Sequence, residues 1–255
     1  MPDLSRTLSV YVDGGIMEDV NRIQLTGADS VGLYPMPFTL RLWNLSDSDY
    51  YLLRAAGEVS VAHGDSVLAS GTISDVCRYA VPEGTVTEIV LSAGIRFWEA
   101  PVSLSVEAGV SVSETVRRIL ADSGTGITLL SFPGEDPVRT RGQAFFGRAA
   151  ECAEEALSAA GARVCLSPAG LCVIPSSGLP VSMELSEEDL LDAPERAGGN
   201  LLLLRTKPVG WPLGKMISVA WEGETWTGLV TERSIDADNM EGKWQAELLV
   251  QIHNS

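Results

Sequence analysis

The chain has 255 residues, of which 45% are hydrophobic and 20% are charged. This is ordinary globular composition, and the length suffices for two or three small packed units. Acidic residues outnumber basic ones by 34 to 18, which gives a net charge of −16. Because phosphate binding needs clustered Lys and Arg, this charge excludes adhesive binding to nucleic acid or anionic lipid, although nucleic acid could still slide past such a surface.

Nothing in the sequence indicates a membrane or secreted protein. No apolar run exceeds the four residues of 201–204, whereas a membrane-spanning helix needs about 18 or more. The start, Met1-Pro2-Asp3-Leu4, has no basic segment followed by an apolar one, so no secretion signal is expected. Four cysteines are too few for a disulfide scaffold in a chain of this size. We therefore expect no membrane insertion and a reducing compartment for this protein.

The first hundred residues have the pattern of a β-rich unit. Alternation of apolar and polar residues predicts strands at 8–12, 22–26 and 38–42. After the third strand, Ser46-Asp47-Ser48-Asp49 predicts a short helix that ends near Gly57, because Ser caps helices and acidic residues favour their positive ends. Residues 1–99 are therefore expected to form a small β-barrel or curled sheet with one helical insert.

A repeat relates this unit to the end of the chain. Ser60-Val61-Ala62 returns as Ser218-Val219-Ala220, and the following Gly71 has a counterpart in Gly228. Both copies then reach a Glu-Gly pair, at 83–84 and at 241–242, before a last alternating strand. The residue numbers of the two copies differ by 158 at Ser60, by 157 at Gly71 and by 158 again at Gly84. A chance match between two β-rich segments is the alternative, but three landmarks at nearly one offset favour duplication.

The middle of the chain is predicted to be α/β. Ser111-Val112-Ser113-Glu114 matches a capping box and begins a helix that Gly124 ends. A second helix is predicted at 147–160, followed by a hairpin around the turn Ser167-Pro168-Ala169-Gly170. The inner faces of the two helices consist of Val112, Val116, Ile119 and Leu120, and of Ala149, Cys152, Ala153, Ala156, Leu157 and Ala160.

The last segment begins with a predicted strand at 201–206, and a loop rich in Pro and Gly at 207–215 precedes the second copy of the repeat. The expected fold is mainly β (α+β), with two related small β-barrels flanking an inserted α/β domain. The expected boundaries are 1–99, 100–179 and 180–255.

The residues that could carry chemistry are sparse. The two histidines, His63 and His253, lie at a turn tip and near the end of the chain, and no Gly-x-Ser-x-Gly elbow is present. The paired carboxylates Glu154-Glu155 and Glu187-Glu188-Asp189 have the pattern of solvated helix residues rather than of a glycosidase pair. We therefore expect no enzyme and no catalytic residues.

Metal and cofactor sites are not expected either. Cys152, Cys165 and Cys172 cluster in the middle unit and Cys77 is remote, but no Cys-x-x-Cys occurs. The hairpin places Cys165 opposite Cys172, with Cβ atoms about 5 Å apart, and in a reducing cytoplasm we expect free thiols. Asp236-x-Asp238-Asn239-x-Glu241 departs from the calcium loop, which needs Gly at position six and Glu at position twelve. Four tryptophans of the last unit could serve its core or a protein interface, namely Trp211, Trp221, Trp226 and Trp244.

The order of barrel, helix–helix–hairpin and barrel resembles the baseplate hub proteins of phage tails and related contractile injection systems, especially those of Mu-like phages. The similar segments are TLRLWNLSDSDYYLL (39–53), VEAGVSVSETVRRILADSG (106–124), AEEALSAAGARVCLSPAGLCVIP (153–175) and residues 207–244. Together these segments span nearly the whole chain, as a pattern of architecture.

The resemblance implies a structural protein of the virion tail tip. It implies a homotrimer whose six barrels form a pseudo-sixfold ring, which adapts the sixfold tail tube to a threefold spike or fibre. The implied partners are a tail tube or distal tail protein on one side, a spike, central fibre or other baseplate protein on the other, and DNA only in transit. The alternatives are a hexameric distal-tail or tube-completion ring protein, and a tail-tip peptidoglycan hydrolase, which the histidines and carboxylates disfavour.

The charge is distributed unevenly along the chain. Residues 1–100 and 180–255 each carry −7, whereas residues 101–179 carry −2. Because the two end units would build the ring, we expect Asp and Glu to line the channel and to repel DNA phosphates. The alternative is that the acidity spreads over the outside and serves solubility.

Overall fold

In the computed structural model, residues 6–158, 160–168, 170–175 and 179–253 are described. The start at Met1-Pro2-Asp3-Leu4 and position Ala169 of the predicted hairpin turn lie outside these residues. The chain is 52% strand and 16% helix, which confirms the mainly β prediction. Among the described residues, no helix has the length and apolar character that crossing a membrane would require.

The N-terminal elements are β1 (Ser9–Val12), β2 (Gly15–Ile16), β3 (Ile23–Ser30), β4 (Pro37–Trp43), α1 (Asp47–Ala55), β5 (Glu58–His63), β6 (Ser66–Val81) and β7 (Gly84–Ser92). The middle elements are α2 (Ile95–Glu99), β8 (Pro101–Val106), α3 (Val112–Asp122), β9 (Leu129–Ser131), β10 (Gln143–Arg148), α4 (Ala149–Ser158), β11 (Arg163–Ser167) and β12 (Gly170–Ile174). The last elements are β13 (Val181–Leu185), a 3-10 turn (Glu187–Asp189), β14 (Glu195–Gly198), β15 (Leu201–Thr206), β16 (Met216–Trp221), β17 (Glu224–Asp238) and β18 (Trp244–Ile252).

Strands from both ends of the chain form one thirteen-stranded sheet within the described residues. Its main path is β14-β15-β18-β17-β3-β4-β7-β6-β5-β1-β2, and β16 and β13 branch from β17. With this branch included, the sheet contains the same strand order twice, as β3-β4-β7-β6-β5-β1 and as β14-β15-β18-β17-β16-β13. The two sets differ at one end, because β1 is antiparallel to β5 whereas β13 is parallel to β16.

The sheet departs from the expected pair of separate barrels. Strand β17 pairs with β3 from Glu232 opposite Ser30 to Asp238 opposite Gln24, so the two units share one sheet. This is possible because β17 is 15 residues long, and only its first half is engaged with β16. No ring of strands closes among the described residues, and the sheet has open edges instead.

The two halves of the repeat lie in equivalent strands with equivalent registers. In β5 and β6, Val59 is opposite Gly71, and in β16 and β17, Ile217 is opposite Gly228. Gly71 lies where β6 passes close to β7, and Gly228 lies where β17 passes close to β18. A Cβ on Gly71 would lie 2.9 Å from a backbone carbon of Ser92, and one on Gly228 would lie 2.6 Å from the Gln251 carbonyl. Only glycine fits this approach without displacing the neighbouring strand.

Each long strand also bulges at the same place. Ser74 in β6 and Thr231 in β17 have no opposite residue in the neighbouring strand. The Ser74 hydroxyl donates to the Val90 carbonyl (3.0 Å), and the Thr231 hydroxyl donates to the Leu249 carbonyl (3.1 Å). The two bulges therefore share position, residue chemistry and hydrogen bond.

The pairing explains the change of offset from 158 to 157 and corrects the last landmark. Leu68 is an extra bulged residue between β5 and β6, with no counterpart between β16 and β17. Over the last strand the offset is 159, because four residues (81–84) separate the paired residues Ala80 and Thr85, whereas six (238–243) separate their counterparts Ala237 and Trp244. Gly84 therefore corresponds to Lys243, and the two Glu-Gly pairs are not equivalent.

The helices and strands of the middle unit pack around one apolar core, which includes Phe97, Val116, Phe145, Ala153 and Leu171. The Ser111 side chain accepts from the Glu114 N–H at the start of α3, as predicted. The Glu114 carboxylate does not complete a capping box, since it accepts from Arg118 Nε at 3.0 Å instead. The predicted hairpin is present as β11 and β12, and β9 joins it in parallel.

Candidate functional site

The central sheet has one apolar face and one polar face. In β18 the side chains of Ala246, Leu248, Val250 and Ile252 are buried, and the residues between them are half-buried. The same alternation runs through β3, β4 and β15, so the apolar side chains of these strands collect on one face. The opposite face consists mostly of polar and small residues, together with Leu201, Leu203 and Leu249.

Cross-strand registers define this polar face, because directly opposed residues point to the same side of a sheet. One row consists of Arg205, Glu247, Ser234 and Ala28. A second consists of Gln245, Asp236, Thr26, Thr39, Val90 and Asp75. A third consists of Gln24, Arg41, Glu88 and Cys77. The polar face therefore crosses the junction between the two units without interruption.

The polar face is acidic. Its carboxylates are Asp75, Glu88, Glu195, Glu232, Asp236 and Glu247. The strands place two cations on this face, and Lys243 reaches it from the loop before β18, with its Nζ 3.9 Å from Asp236 Oδ2, so that all three are already paired. Arg41 Nε donates to Glu88 at 2.7 Å, and Arg205 donates to Glu247 and to Glu195, each at 3.1 Å. The hydrogen bond from Arg41 to Glu88 raises the pKa of Arg41. Uncompensated negative charge thus remains on the face, near the β17–β3 junction.

The residues considered for catalysis have structural contacts. His63 Nδ1 lies 2.7 Å from the Thr7 carbonyl and its ring packs edge-on against Trp244, whereas the His253 backbone N–H donates to Thr227. Glu155 accepts from Gln143 at 2.6 Å. The carboxylates of the 3-10 turn, Glu187 and Asp189, also accept hydrogen bonds.

In that turn, Glu187 accepts from the backbone N–H of Glu222, and Asp189 accepts from Ser186 in a capping box. Asp189 therefore has the helix-start role that the acidic run predicts, whereas Glu187 connects the turn to the β16–β17 hairpin.

The calcium-like loop is occupied by its own hydrogen bonds. The Asp238 carboxylate accepts from the backbone N–H groups of Met240 and Glu241 and from Arg22 at 2.9 Å. The Asn239 side chain accepts from the Ile23 N–H. No group of His, Cys, Asp and Glu suited to a metal ion occurs in the described part of the chain.

The cysteine geometry is as predicted at the hairpin. Cys165 lies directly opposite Cys172, and the four cysteines are free thiols. The interaction between the two thiols lowers the pKa of Cys172 to about 6 and, together with burial, raises the pKa of Cys165. Cys165 Sγ donates to the Leu213 carbonyl at 3.8 Å, and Cys172 Sγ donates to Ser167 Oγ at 3.9 Å. On the polar face, partial burial and then the carboxylates of Glu88 and Asp75 raise the pKa of Cys77.

The four tryptophans of the last unit are half-buried against apolar cores. Trp211, Trp221 and Trp226 pack against the C-terminal core, and Trp244 packs against the N-terminal core. Sequence reasoning did not identify the individual acidic residues of the polar face. The strand alternation carried part of this signal, but the β17–β3 pairing was needed to bring the residues together.

The architecture matches known phage tail proteins. A tail protein from Neisseria meningitidis MC58 superposes with a TM-score of 0.67 at 11% identity, covering 96% of this chain and 95% of that one. The 43 kDa tail protein of prophage MuSo2 from Shewanella oneidensis gives 0.63 at 12% identity, covering 95% and 97%. An E. coli type VI secretion component, described as structurally similar to the T4 tail proteins gp27 and gp5, gives 0.64 at 12% identity, covering 96% and 77%.

No family model and no curated protein sequence matches the chain. At these identities the similarity establishes the fold alone. The predicted resemblance to hub-like phage tail proteins is confirmed at that level.

Proposed function

We propose that this chain is a structural baseplate subunit of a phage or phage-like tail, acting as a hub. Three copies would form a pseudo-sixfold ring that adapts the sixfold tail tube to a threefold spike or fibre. The observation that carries the proposal is the double sheet: two units of the same strand order, joined edge to edge, share one polar and acidic face. The fold shared with phage tail proteins supports the same assignment.

The ring follows from simple symmetry matching. A trimer of a chain with two similar units presents six similar surfaces, which can meet six tube subunits. The equivalent glycines and bulges of β6 and β17 support an origin of these units by duplication. We assign the units to residues 1–99 and 180–255, with the α/β insert at 100–179 between them.

The polar face is assigned to the wall of the central channel. Its carboxylates would repel the phosphates of passing DNA, so that the genome slides without being retained. The tail tube or distal tail protein would bind one side of the ring, and a spike, fibre or other baseplate protein the other. The protein would act in the tail tip and assemble in the host cytoplasm.

Electron microscopy of the purified protein tests the proposal. End-on views are expected to have three chains in a ring with six similar lobes around an open channel. The hexameric distal-tail or tube-completion alternative would contain twelve such lobes. Particles with no ring, or open filaments, would contradict both assignments.

A further inference from the structure

Two open edges of the sheet carry an inference about how the copies join. The second half of β6, residues 75–81, pairs with β7 on one side, and none of the described residues pairs with its other side. Strand β14 pairs with β15 on one side and is likewise open on the other. An open strand edge is a template for pairing with another chain.

The equivalent edge of β17 is covered. Its residues 232–238 correspond to 75–81 of β6, and β3 pairs with them along their whole length. The difference is visible in burial. Arg233, Ile235 and Ala237 of β17 are buried, whereas their counterparts in β6 are half-buried or exposed, namely Val76, Arg78 and Ala80. The edge of β6 therefore lacks a strand that its counterpart has.

Strand β14 is the counterpart of the strand that covers β17. It occupies the position beside β15 that β3 occupies beside β4. Yet its four residues are all exposed, whereas the corresponding part of β3 is half-buried or buried. A strand that buries no side chain gains little from folding in the isolated chain, since burial supplies most of the stabilisation of a sheet.

We propose that β14 of one copy pairs antiparallel with residues 75–81 of β6 in a second copy, reproducing between chains the β17–β3 contact within the chain. The proposal rests on the ring assigned under the proposed function and names its interface. Within each chain, β17 of the last unit pairs with β3 of the first unit. Between chains, β6 in the first unit of one copy would pair with β14 in the last unit of the next copy. Repetition of one contact geometry is the condition for a heterologous interface to close into a ring.

The intrachain contact also predicts the register between copies. Asp236 of β17 is opposite Thr26 of β3, and its counterpart in β6 is Tyr79. Thr26 is opposite Thr39 of β4, just as Glu195 is opposite Leu203 of β15. Because β4 and β15 pair equivalently, through Leu40 with Ile89 and Leu204 with Leu248, Thr26 corresponds to Glu195. Tyr79 of one copy should therefore lie opposite Glu195 of the next.

Disulfide trapping tests this register directly. The double variant Tyr79→Cys/Glu195→Cys is made with Cys77→Ser, because Cys77 lies on the same face of β6. Both positions are exposed, Tyr79 by 40%, so the monomer fold should tolerate the changes. After mild oxidation we expect at least about tenfold more intermolecular disulfide than in either single variant, joined between positions 79 and 195.

A matched control replaces Glu195→Cys by Arg196→Cys, because adjacent strand residues point to opposite faces and position 196 should not reach position 79. The mass of the wild-type protein is measured in parallel. A wild-type trimer in which the 79–195 pair crosslinks no better than this control would overturn the edge pairing and leave the ring standing. A wild-type monomer would overturn the ring and the pairing together.

Discussion

Arg233 on β17 lies directly opposite Asp29 on β3, and the two form a buried bidentate ion pair at the junction of the two units. Arg233 Nη2 donates to Asp29 Oδ2 at 2.7 Å and Nε donates to Oδ1 at 3.1 Å. The guanidinium also donates to the carbonyls of Leu68 and Gly210, and its side chain is fully buried. It therefore ties β17 and β3 to the extra bulge of β6 and to the loop before β16. Burial raises the pKa of Asp29, and Arg233 opposes that rise.

Asp29→Asn should destabilise the protein strongly. The change leaves the Arg233 charge buried without its counter-ion, and breaking such a pair costs about 3–5 kcal/mol. Urea unfolding at pH 7 measures the free energy of unfolding. As a control, Glu114→Gln removes the exposed partner of Arg118 and should cost less than about 0.5 kcal/mol. Equal losses in the two variants would contradict the junction role of Arg233.

The loop between β17 and β18 should contribute stability that depends on pH. Burial alone would raise the pKa of Asp238, but the N–H groups of Met240 and Glu241 and the Arg22 guanidinium outweigh it and hold the pKa below its usual range. A lowered folded-state pKa stabilises the protein above pH of about 4, and this contribution is lost as pH falls through the folded value.

We expect Asp238→Asn to cost about 1–3 kcal/mol at pH 7, since the carboxylate is only 3% exposed and accepts three hydrogen bonds. The loss should shrink at pH 3, because protonation of the Asp238 carboxyl in the unfolded chain then favours unfolding of the wild type. Urea unfolding at both pH values measures it. A loss that is the same at pH 7 and pH 3 would count against this origin of the stabilisation.

The close approach at Gly228 predicts a steric cost. Gly228→Ala places a Cβ 2.6 Å from the Gln251 carbonyl, so β18 must move, and such overpacking costs about 1–3 kcal/mol. Thermal unfolding of the variant measures the effect. Gly15→Ala is the control, because its nearest atom would be the Val12 carbonyl at an ordinary 3.5 Å. A Gly228→Ala variant as stable as the control would show that β17 and β18 can separate at no cost.

The thiols should differ in reactivity. Titration under denaturing, non-reducing conditions should count four free thiols, whereas a count of two with a 165–172 crosslink would contradict the prediction. In the folded protein at pH 7, Cys172 should alkylate faster than Cys165, because its pKa is lowered to about 6 and it is less buried. Peptide mapping after brief iodoacetamide treatment measures the order, and faster labelling of Cys165 would contradict it.

The acidic polar face makes a prediction about DNA. Glu232→Lys/Asp236→Lys reverses two charges at the β17–β3 junction, and the ring should then retain duplex DNA with a salt dependence that the wild type lacks. Glu154→Lys/Glu188→Lys changes the net charge equally at exposed positions on α4 and the 3-10 turn. Binding of a fluorescent duplex at several salt concentrations compares the two. Equal retention by both variants would favour acidity as a general solubility device.

Local structure was largely predictable from the sequence because its signals are local. Alternation located β1, β3, β4, β7 and β15, and caps located α1 and α3. The helix α2 was missed because it has only five residues and starts at Gly94, which makes no side-chain cap. Strand β14 was missed because its residues are all exposed and carry no alternation.

The site was less predictable because it depends on long-range pairing. Nothing near Ser30 in the sequence indicates that it lies opposite Glu232, so the single sheet and its shared face were not foreseen. Arg233 interrupts an apolar alternation and would be assigned to solvent, yet Asp29 lies 204 residues away and neutralises it in the interior. The loop before the last strand also differs in length between the two copies. For this reason the Glu-Gly pairs at 83–84 and 241–242 match in sequence but are one residue out of register in the structure.

Native mass spectrometry of the purified full-length protein at micromolar concentration tests the central claim most directly. The account predicts a closed trimer, with three times the chain mass of 27.2 kDa. A monomer, or a particle of six chains, would contradict the assignment of each chain, with its two units, to one third of a pseudo-sixfold hub ring.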